Sequence, residues 1–310
     1  MIVVVCLNPA LDVTHQLDAV GWGGVNRPRA VHARPGGKGL NVARTLHALG
    51  ADVQVLGLAG GITGAGVQAA LRELGVPATF APVGGETRRT FTVVDGSVAG
   101  GGVTAFHEAG PEVGEDEFAG FQARYERALP GAAAVVLSGS LPPGLPAGTY
   151  ATLIGTATAA GVPAVLDAHG EALRRGAAAG PAIVKPNLAE LEALAGRPLD
   201  GRAAVAAAAG RLRGAQAVVV TLGPDGLLAA TGDGYWRARM PGAVAGNATG
   251  AGDAVAAALA HGIVLGRPWD ERLRHAAALG AATVATPVAG EFRPQDYLGA
   301  LRAVAVEEVR

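Results

Sequence analysis

Lysine, asparagine and cysteine are scarce in this sequence of 310 residues, which contains two, five and one of them respectively. The single cysteine, Cys6, excludes an intrachain disulfide and lies in an apolar run, so we expect a reduced, cytoplasmic setting. Arginine, alanine and glycine are abundant, which indicates a coding bias that replaces a residue type wherever another can serve. The lysines and asparagines that remain are therefore informative. They are Lys38, Lys185, Asn8, Asn26, Asn41, Asn187 and Asn247.

An excess of either charge is also missing, because 25 basic residues face 26 acidic ones and the formal net charge is −1. Without a block of basic residues there is no electrostatic footprint for nucleic acid or an anionic membrane, and we expect neither as a partner. The longest uncharged stretch, residues 128–166, is interrupted by serines and prolines, so we predict no membrane span. Met1 leads into an apolar run without a basic segment or cleavage pattern, so we expect no signal peptide.

Several catalytic signatures are absent as well. The sequence has no Gly-x-Ser-x-Gly elbow, which weakens a hydrolase interpretation of Ser138 and Ser140. It has no His and Cys spacing for zinc and no Gly-x-Gly-x-x-Gly after its first strand, which argues against a zinc site and a dinucleotide site.

Short apolar runs alternate with segments of helical period, which is typical of an α/β protein whose mostly parallel central sheet is flanked by helices. The predicted strands cover residues 2–7, 53–58, 133–137, 163–166, 182–184 and 217–220. The predicted helices include residues 39–49, 66–74, 251–265 and 270–285. Residues 13–34 and 87–104 break this rhythm and are predicted to form a small antiparallel β-lid on a single domain of residues 1–310.

Polar residues follow the predicted strands directly. They are Asn8, Ser138, Asp167, Lys185 and Thr221. Because ligands of open α/β sheets bind beyond the carboxyl ends of the strands, these side chains are expected to meet along one edge of the sheet.

Two glycine-rich turns each open a predicted helix and suit an anionic ligand. Residues 35–41 combine three glycines with Lys38, but the spacing is not that of a P-loop, and an ordinary turn with a solvated lysine competes. Residues 247–253 end in Asp253, which either complements the helix dipole or acts as a general base beside N–H groups that hold a transferring phosphoryl group.

Two further pairs are open to two interpretations. Asn187 and Glu190 share a face at a helix start and suit a hydrated Mg²⁺, but the same residues can form a capping box. Arg88 and Arg89 could clamp a phosphate, although adjacent arginines are more often solvated.

Taken together, these motifs resemble the ribokinase-like (phosphofructokinase B) carbohydrate kinases, in the branch of the 1-phosphofructokinases and tagatose-6-phosphate kinases. The resemblance covers the chain nearly end to end. It rests on residues 7–12, 36–41, 87–88, 138–142, 185–190, 221–226 and 250–253. It implies a three-layer ribokinase-like fold with a β-lid over the sugar.

The resemblance also implies a role for each motif. Asp253 would be the general base, and Gly250, Ala251 and Gly252 would form the anion hole. The residues that would hold the sugar phosphate are Asp12, Gly37, Lys38, Asn41, Arg88 and Ser138. The residues that would serve ATP are Lys185, Asn187, Thr221, Gly223 and Gly226, with Glu190 and Asn187 for Mg²⁺ and Asp167 farther from the metal.

The sequence therefore predicts a phosphotransferase that moves the γ-phosphoryl group of ATP to tagatose 6-phosphate or fructose 1-phosphate, giving the 1,6-bisphosphate. Fructose 6-phosphate, an unphosphorylated sugar or a nucleoside are alternative acceptors, and a ligand-sensing protein without turnover is a further alternative. The flap strands with exposed edges suggest a homodimer through the lid.

Overall fold

The structure, a computed structural model, describes residues 1–98, 102–212, 214–286 and 290–309. Its strands in chain order are β1 (Ile2–Cys6), β2 (Ala10–Leu17), β3 (Ala30–Gly36), β4 (Val53–Ala59), β5 (Ala78–Pro82), β6 (Arg88–Asp95), β7 (Gly102–His107), β8 (Ala134–Ser138), β9 (Ala164–Asp167), β10 (Ile183–Val184), β11 (Val218–Thr221), β12 (Leu227–Thr231), β13 (Gly234–Arg239) and β14 (Ala305–Val309). Its α-helices are α1 (Lys38–Ala48), α2 (Gly61–Glu73), α3 (Glu115–Ala128), α4 (Thr149–Ala159), α5 (Gly170–Ala178), α6 (Leu188–Ala195), α7 (Gly201–Ala209), α8 (Ala251–Val264), α9 (Trp269–Val284) and α10 (Pro294–Ala303).

Ten strands form the large sheet, in the order β14-β13-β12-β11-β10-β9-β8-β1-β4-β5. The seven strands from β11 to β5 pair in parallel, and β12, β13 and β14 extend that sheet with antiparallel pairs. This arrangement confirms the predicted α/β class with a mostly parallel sheet.

The central strand β1 shows why the sheet is covered on both faces. Its five residues are all buried, and side chains alternate between two cores. Ile2, Val4 and Cys6 pack with residues of α1, α2, α8, α9 and α10 on one face. Val3 and Val5 pack with residues of α3, α4 and α5 on the other. The three layers therefore follow from an unbroken run of apolar residues, four of which are β-branched.

Helix α8 is buried along most of its length, although it carries few large side chains. Alanines occupy positions 254, 256, 257, 258 and 260, and small side chains let α8 pack closely on α1 and α9. The N-terminus of α8 is thereby held at the carboxyl edge of the sheet. Among the described residues, no helix is sufficiently long and apolar to span a membrane.

A second sheet, in the order β3-β2-β6-β7, forms the predicted lid. Its outer pairs are antiparallel, as expected, but its central pair, β2 with β6, is parallel. These two strands are separated by β3, α1 and β4, α2 and β5, so no hairpin dictates their direction. Residues 99–101 of the predicted segment 87–104 lie outside the described residues.

The predicted helices and strands are present with small shifts in their ends, except at α2. That helix begins at Gly61 rather than at residue 66. Three of its first six residues, counted with the N-cap, are glycines at 60, 61 and 64, and their low helix propensity hid the first turn from sequence reasoning.

Candidate active site

A cleft of about 1830 Å³ lies between the inner face of the lid and the carboxyl edge of the parallel strands. Alternate residues of the lid strands line it, including Asp12 and Thr14 of β2 and Thr90 of β6. The predicted site residues that line the cleft are Asp12, Gly37, Lys38, Asn41, Arg88, Lys185, Asn187, Thr221, Gly250, Gly252 and Asp253. The structure therefore brings both glycine-rich turns to one opening.

Asp253 lies in the first turn of α8, where the backbone turn that begins the helix is unusual. Gly250, the N-cap residue, has φ +83°, a left-handed conformation that favours glycine. Ala251 N donates to Ala248 O at 3.2 Å, and the first α-helical bond runs from Ala254 N to Gly250 O at 3.0 Å. The N–H groups of Gly252 and Asp253 belong to the first turn, where N–H groups have no acceptor within the helix and suit an anionic ligand.

The Asp253 carboxylate is 5% exposed and accepts a hydrogen bond from Asn41 Nδ2 at 2.8 Å. Burial raises the pKa of Asp253 to about 7, and the negative charge of Asp167 adds to this effect. The Asn41 hydrogen bond and the positive charges of Lys38 and Lys185 oppose it. The carboxylate is thus poised to exchange a proton near neutral pH.

Asp167, at the end of β9, joins both lysines of the chain. Its Oδ1 lies 3.3 Å from Lys38 Nζ and 3.3 Å from Lys185 Nζ, and Lys38 Nζ also lies 3.6 Å from Glu190 Oε1. Burial lowers the pKa of Lys38, but the carboxylates of Asp167, Glu190 and Asp253 outweigh it and the net shift is upward. Both ammonium groups are therefore held by carboxylates near the N-terminus of α8.

Lys185 is 2% exposed, and its ammonium stands over the start of α8. A β-carbon placed on Gly252 would lie 3.5 Å from Lys185 Nζ. Because the N-terminus of a helix already attracts anions, the buried ammonium strengthens that field. The other lysine, Lys38, which is predicted to meet the sugar phosphate, lies near the carboxylates of Asp167 and Glu190 in the structure.

Both interpretations of Asn187 and Glu190 concern the same two side chains, but they use different oxygens of Glu190. Glu190 N donates to Asn187 Oδ1 and Asn187 N donates to Glu190 Oε2, each at 2.8 Å, which is the capping box of α6. Glu190 Oε1 remains on the side of Lys38. Thr221 N donates to Pro186 O at 3.0 Å, so β11 ends beside this turn.

Five predicted site residues do not line the cleft that the described residues form. They are Ser138, Glu190, Gly223, Gly226 and Ala251. Ser138 is 1% exposed. Gly226 has a packing role, because a β-carbon there would lie 2.1 Å from Ala238 O in the neighbouring strand. Gly223 is exposed in the same turn.

The lid side of the cleft combines hydroxyl-binding and cationic groups. Thr90 Oγ1 donates to Asp12 Oδ1 at 2.6 Å across the parallel strand pair. Arg88 Nε donates to Asn8 O at 3.1 Å, which places this guanidinium at the junction of β1 and the lid. Arg88 lines the cleft, whereas the Arg89 guanidinium lies 5.7 Å from the centre of the Phe91 ring.

The sequence analysis did not identify three charged residues near the lid side of the cleft. Arg34 of β3 lines the cleft and lies 3.7 Å from Glu291, and Arg44 of α1 donates to the same Glu291 carboxylate at 2.9 Å. The spacing of Asn41 and Arg44, three residues apart on a predicted helix, was the available signal. Asn26, which had no predicted role, organises the loop after β2, because its Oδ1 accepts from Gly21 N and its Nδ2 donates to Gly21 O.

A family model described as pfkB family carbohydrate kinase matches residues 6–296 of this chain. The chain belongs to the pfkB family of carbohydrate kinases. The resemblance predicted from the sequence is thereby confirmed, as is the expectation of a phosphotransferase that acts on a sugar hydroxyl.

Individual members of this pfkB family are similar over most of their length. A 1-phosphofructokinase from Xanthomonas campestris pv. campestris is 40% identical over 265 residues, which are 83% of this chain and 82% of that protein. A possible 1-phosphofructokinase from Thermotoga maritima has a TM-score of 0.91 at 27% identity and covers 100% of both chains. Phosphofructokinase-2 from Escherichia coli, in complex with potassium, has a TM-score of 0.91 at 30% identity, covering 97% of this chain and 98% of that one. A tetrameric inhibited form of the same enzyme has a TM-score of 0.89 at 30% identity, with the same coverage.

The buried Asp253 carboxyl makes a prediction about stability. Because its pKa is raised to about 7 in the folded chain, from a model-compound value of 3.8, ionisation opposes folding as pH rises between these values. We expect the Asp253→Asn variant to have a higher Tm than the parent at pH 8 and a similar Tm near pH 4. Thermal unfolding across this pH range measures the difference, and the Asp296→Asn variant, changed at a surface carboxylate, is the control. An Asp253→Asn difference that does not change with pH would contradict the raised pKa.

Proposed function

We propose that this chain transfers the γ-phosphoryl group of ATP to a ketohexose phosphate, with fructose 1-phosphate and tagatose 6-phosphate as the leading acceptors. The product would be the 1,6-bisphosphate. The observation that carries the proposal is the position of Asp253, a buried carboxyl in the first turn of α8 that opens onto the cleft beside Lys185. The 1-phosphofructokinase that is 40% identical supports this choice of acceptor.

In the proposed reaction, Asp253 accepts the proton of the attacking sugar hydroxyl. The N–H groups at the start of α8 and the Lys185 ammonium stabilise the charge on the transferring phosphoryl group. Phosphoryl transfer passes through a loose transition state, so positioning and charge stabilisation do most of the work. A carboxyl with a pKa near 7 is ionised often enough at neutral pH to serve as the base.

ATP and Mg²⁺ are the proposed cosubstrate and cofactor. Asp167 Oδ2 is a buried oxygen without a hydrogen-bond partner in the described part of the chain, and Glu190 Oε1 lies on the same ammonium as Asp167 Oδ1. This donor set fits a hydrated Mg²⁺, which keeps several waters and needs few carboxylates. When bound, the ion neutralises charge on the phosphates. The capping box keeps Asn187 and Glu190 in fixed orientations, in which they would be available to hold the ion.

The charge of the lid side favours an acceptor that already carries a phosphate. Arg88 and Arg34 both line the cleft there, and Asp12 offers a carboxylate to the sugar hydroxyls. Arg34 already lies near the Glu291 carboxylate, but an unphosphorylated sugar or nucleoside would bring no anionic group to the Arg88 guanidinium. Fructose 6-phosphate remains the alternative acceptor, since its phosphate suits the same groups. A cytoplasmic location is proposed with this activity, because the single cysteine is free.

The proposed activity is tested by ADP release with fructose 1-phosphate, tagatose 6-phosphate, fructose 6-phosphate and an unphosphorylated hexose. We expect a ketohexose phosphate to be the best acceptor and Asp253→Asn to lower kcat by about 10²- to 10⁴-fold, because the base is lost. We expect kcat/KM of the parent to fall as pH falls below about 7, where Asp253 is protonated.

Asn247→Asp, at the other end of the same turn, is the control for Asp253→Asn, since it adds charge without removing the base. Turnover retained in Asp253→Asn would remove Asp253 from the role of base. If none of the phosphorylated ketohexoses supports turnover, the proposed substrate class is rejected.

The role of Arg88 is tested against its neighbour Arg89, which does not line the cleft that the described residues form. We expect Arg88→Ala to raise KM for the sugar phosphate about tenfold or more, because a hydrogen bond to a charged group is worth about 1.5–3 kcal/mol. The value of kcat and the KM for ATP should change little. Arg89→Ala should leave all three constants near those of the parent, and equal effects of the two variants would disprove a phosphate role specific to Arg88.

A homodimer through the lid is also proposed. Strands β3 and β7 are the edges of the lid sheet. The loop that connects β2 to β3 carries two exposed apolar residues, Trp22 and Val25, which are 78% and 86% exposed to solvent. Two copies could bury these apolar side chains against each other. Sedimentation velocity should show a dimer for the parent and a monomer for the double variant Trp22→Ser and Val25→Ser. Leu298→Ser, an exposed apolar residue of α10, is the control, and a parent that sediments as a monomer would refute the dimer.

A further inference from the structure

Arg44 is a largely enclosed charged residue that the proposed reaction does not use. Its side chain is 9% exposed, and it lies on α1 one turn after Asn41. Arg44 Nη2 donates to Glu291 Oε1 at 2.9 Å, and Nη1 donates to Asn41 Oδ1 at 3.4 Å and to Pro35 O at 3.5 Å. Burying a guanidinium is costly, and these oxygen acceptors offset part of that cost.

Arg44 acts from behind the site. Within the described ranges the cleft is lined by Asn41 and Asp253 but not by Arg44, so its guanidinium does not touch the space for substrate. Burial and the positive charge of Arg34 lower the pKa of Arg44, but an arginine stays charged at neutral pH.

The Asn41 carboxamide stands between two groups with opposite demands. Its Oδ1 accepts from the Arg44 guanidinium, and its Nδ2 donates to the Asp253 carboxylate. A rotation of the amide by half a turn would place its NH₂ against the guanidinium, where two donors face each other. The same rotation would place its oxygen against the carboxylate, where two acceptors face each other. Arg44 thus favours the one orientation in which Asn41 donates to Asp253.

We propose that Arg44 is a positioning residue that fixes the Asn41 carboxamide with its N–H group directed at Asp253. The inference rests on the proposed function in taking Asp253 as the base. Glu291 holds Arg44 in turn, and Arg34 of the lid strand β3 lies 3.7 Å from the same Glu291 carboxylate. The chain of contacts therefore extends from the lid to the base.

The hydrogen bond matters because few other groups stabilise the ionised Asp253. The charged groups that act on it are Asp167 from β9, Lys38 from α1 and Lys185 after β10. Asp167 works against ionisation, and the two lysines are shared with that same carboxylate. Loss of the Asn41 donor would move the acid limb of activity to higher pH.

A double-mutant cycle tests the inference. Arg44→Met keeps the length of the side chain and removes its donors, and we expect it to lower kcat about tenfold while the KM for ATP changes less than about twofold. The acid limb of kcat/KM should shift to higher pH. In an Asn41→Ala background, Arg44→Met should change kcat by less than about twofold, because the amide it orients is gone.

Arg44→Lys is the second variant. It keeps one positive donor and should recover part of the lost kcat, although a single ammonium cannot bond two acceptors with the geometry of a guanidinium. An equal loss of kcat from Arg44→Met in both backgrounds would overturn the inference, since Arg44 would then act independently of Asn41.

A measurement without turnover separates this inference from the proposed function. The chain has five asparagines, so asparagine-selective ¹⁵N labelling gives five side-chain NH₂ pairs, and Asn41→Ala identifies the pair of Asn41. We expect the Asn41 NH₂ of the parent to exchange slowly with water and that of Arg44→Met, or of Arg44→Lys if Arg44→Met does not fold, to exchange faster.

Unchanged exchange in these variants would overturn the positioning role even in an active kinase. The reverse result, faster exchange in a chain that phosphorylates none of the acceptors, would reject the proposed function and leave the positioning of Asn41 supported.

Discussion

The site depends on one physical constraint, which is that its central carboxyl group, Asp253, lies where water hardly reaches. Asp253 is 5% exposed, and burial alone would keep it protonated at neutral pH. The groups that favour the ionised carboxylate are an amide donor from α1, two ammonium groups and the N–H groups at the start of a helix. These groups come from separate parts of the chain, so the fold has to hold the edge of the sheet, α1 and α8 in fixed relation. The alanine-rich contact of α8 with α1 and α9 meets that requirement.

The ion cluster around Asp167 has a cost that argues for a specific use. Two lysines on one buried carboxylate oxygen leave more positive than negative charge, until Glu190 and Asp253 are counted. Removing Asp167 would leave the Lys185 ammonium buried without compensation, and breaking a buried ion pair in this way typically costs about 3–5 kcal/mol. A purely structural site would be served as well by apolar residues of the same size. The arrangement suits a chain that binds a polyanion and releases it again.

Sequence reasoning located the fold and much of the cleft for a clear physical reason. A buried parallel strand must be apolar on both faces, so the first polar residue after its apolar run stands out, as Asp167 and Lys185 do. The scarcity of lysine and asparagine made the surviving positions visible. Arginine is abundant here, so Arg34 and Arg44 carried no such signal, although they lie beside Asn41 and the lid.

Other features depend on contacts between residues that are far apart in the sequence. The sequence could not show that Lys38 turns to Asp167, since 129 residues separate the two. It also could not choose between capping and metal binding at Asn187 and Glu190, and the structure shows the capping bonds without removing the second option. The prediction of an antiparallel lid was wrong for the pair β2 and β6, because these strands are far apart in the sequence and no turn between them fixes their direction.

The short connections of the lid restrict how it can move. Three residues link β1 to β2, and the single residue Gly37 links β3 to α1. A sheet attached so closely rotates about those links as a unit, rather than moving as a loosely tethered flap. Asn8 lies in the first link, and the first turn of α1 follows the second. Any rotation of the lid about these links is therefore coupled to the helix that carries Asn41, and through the Asn41 hydrogen bond to the Asp253 carboxyl group.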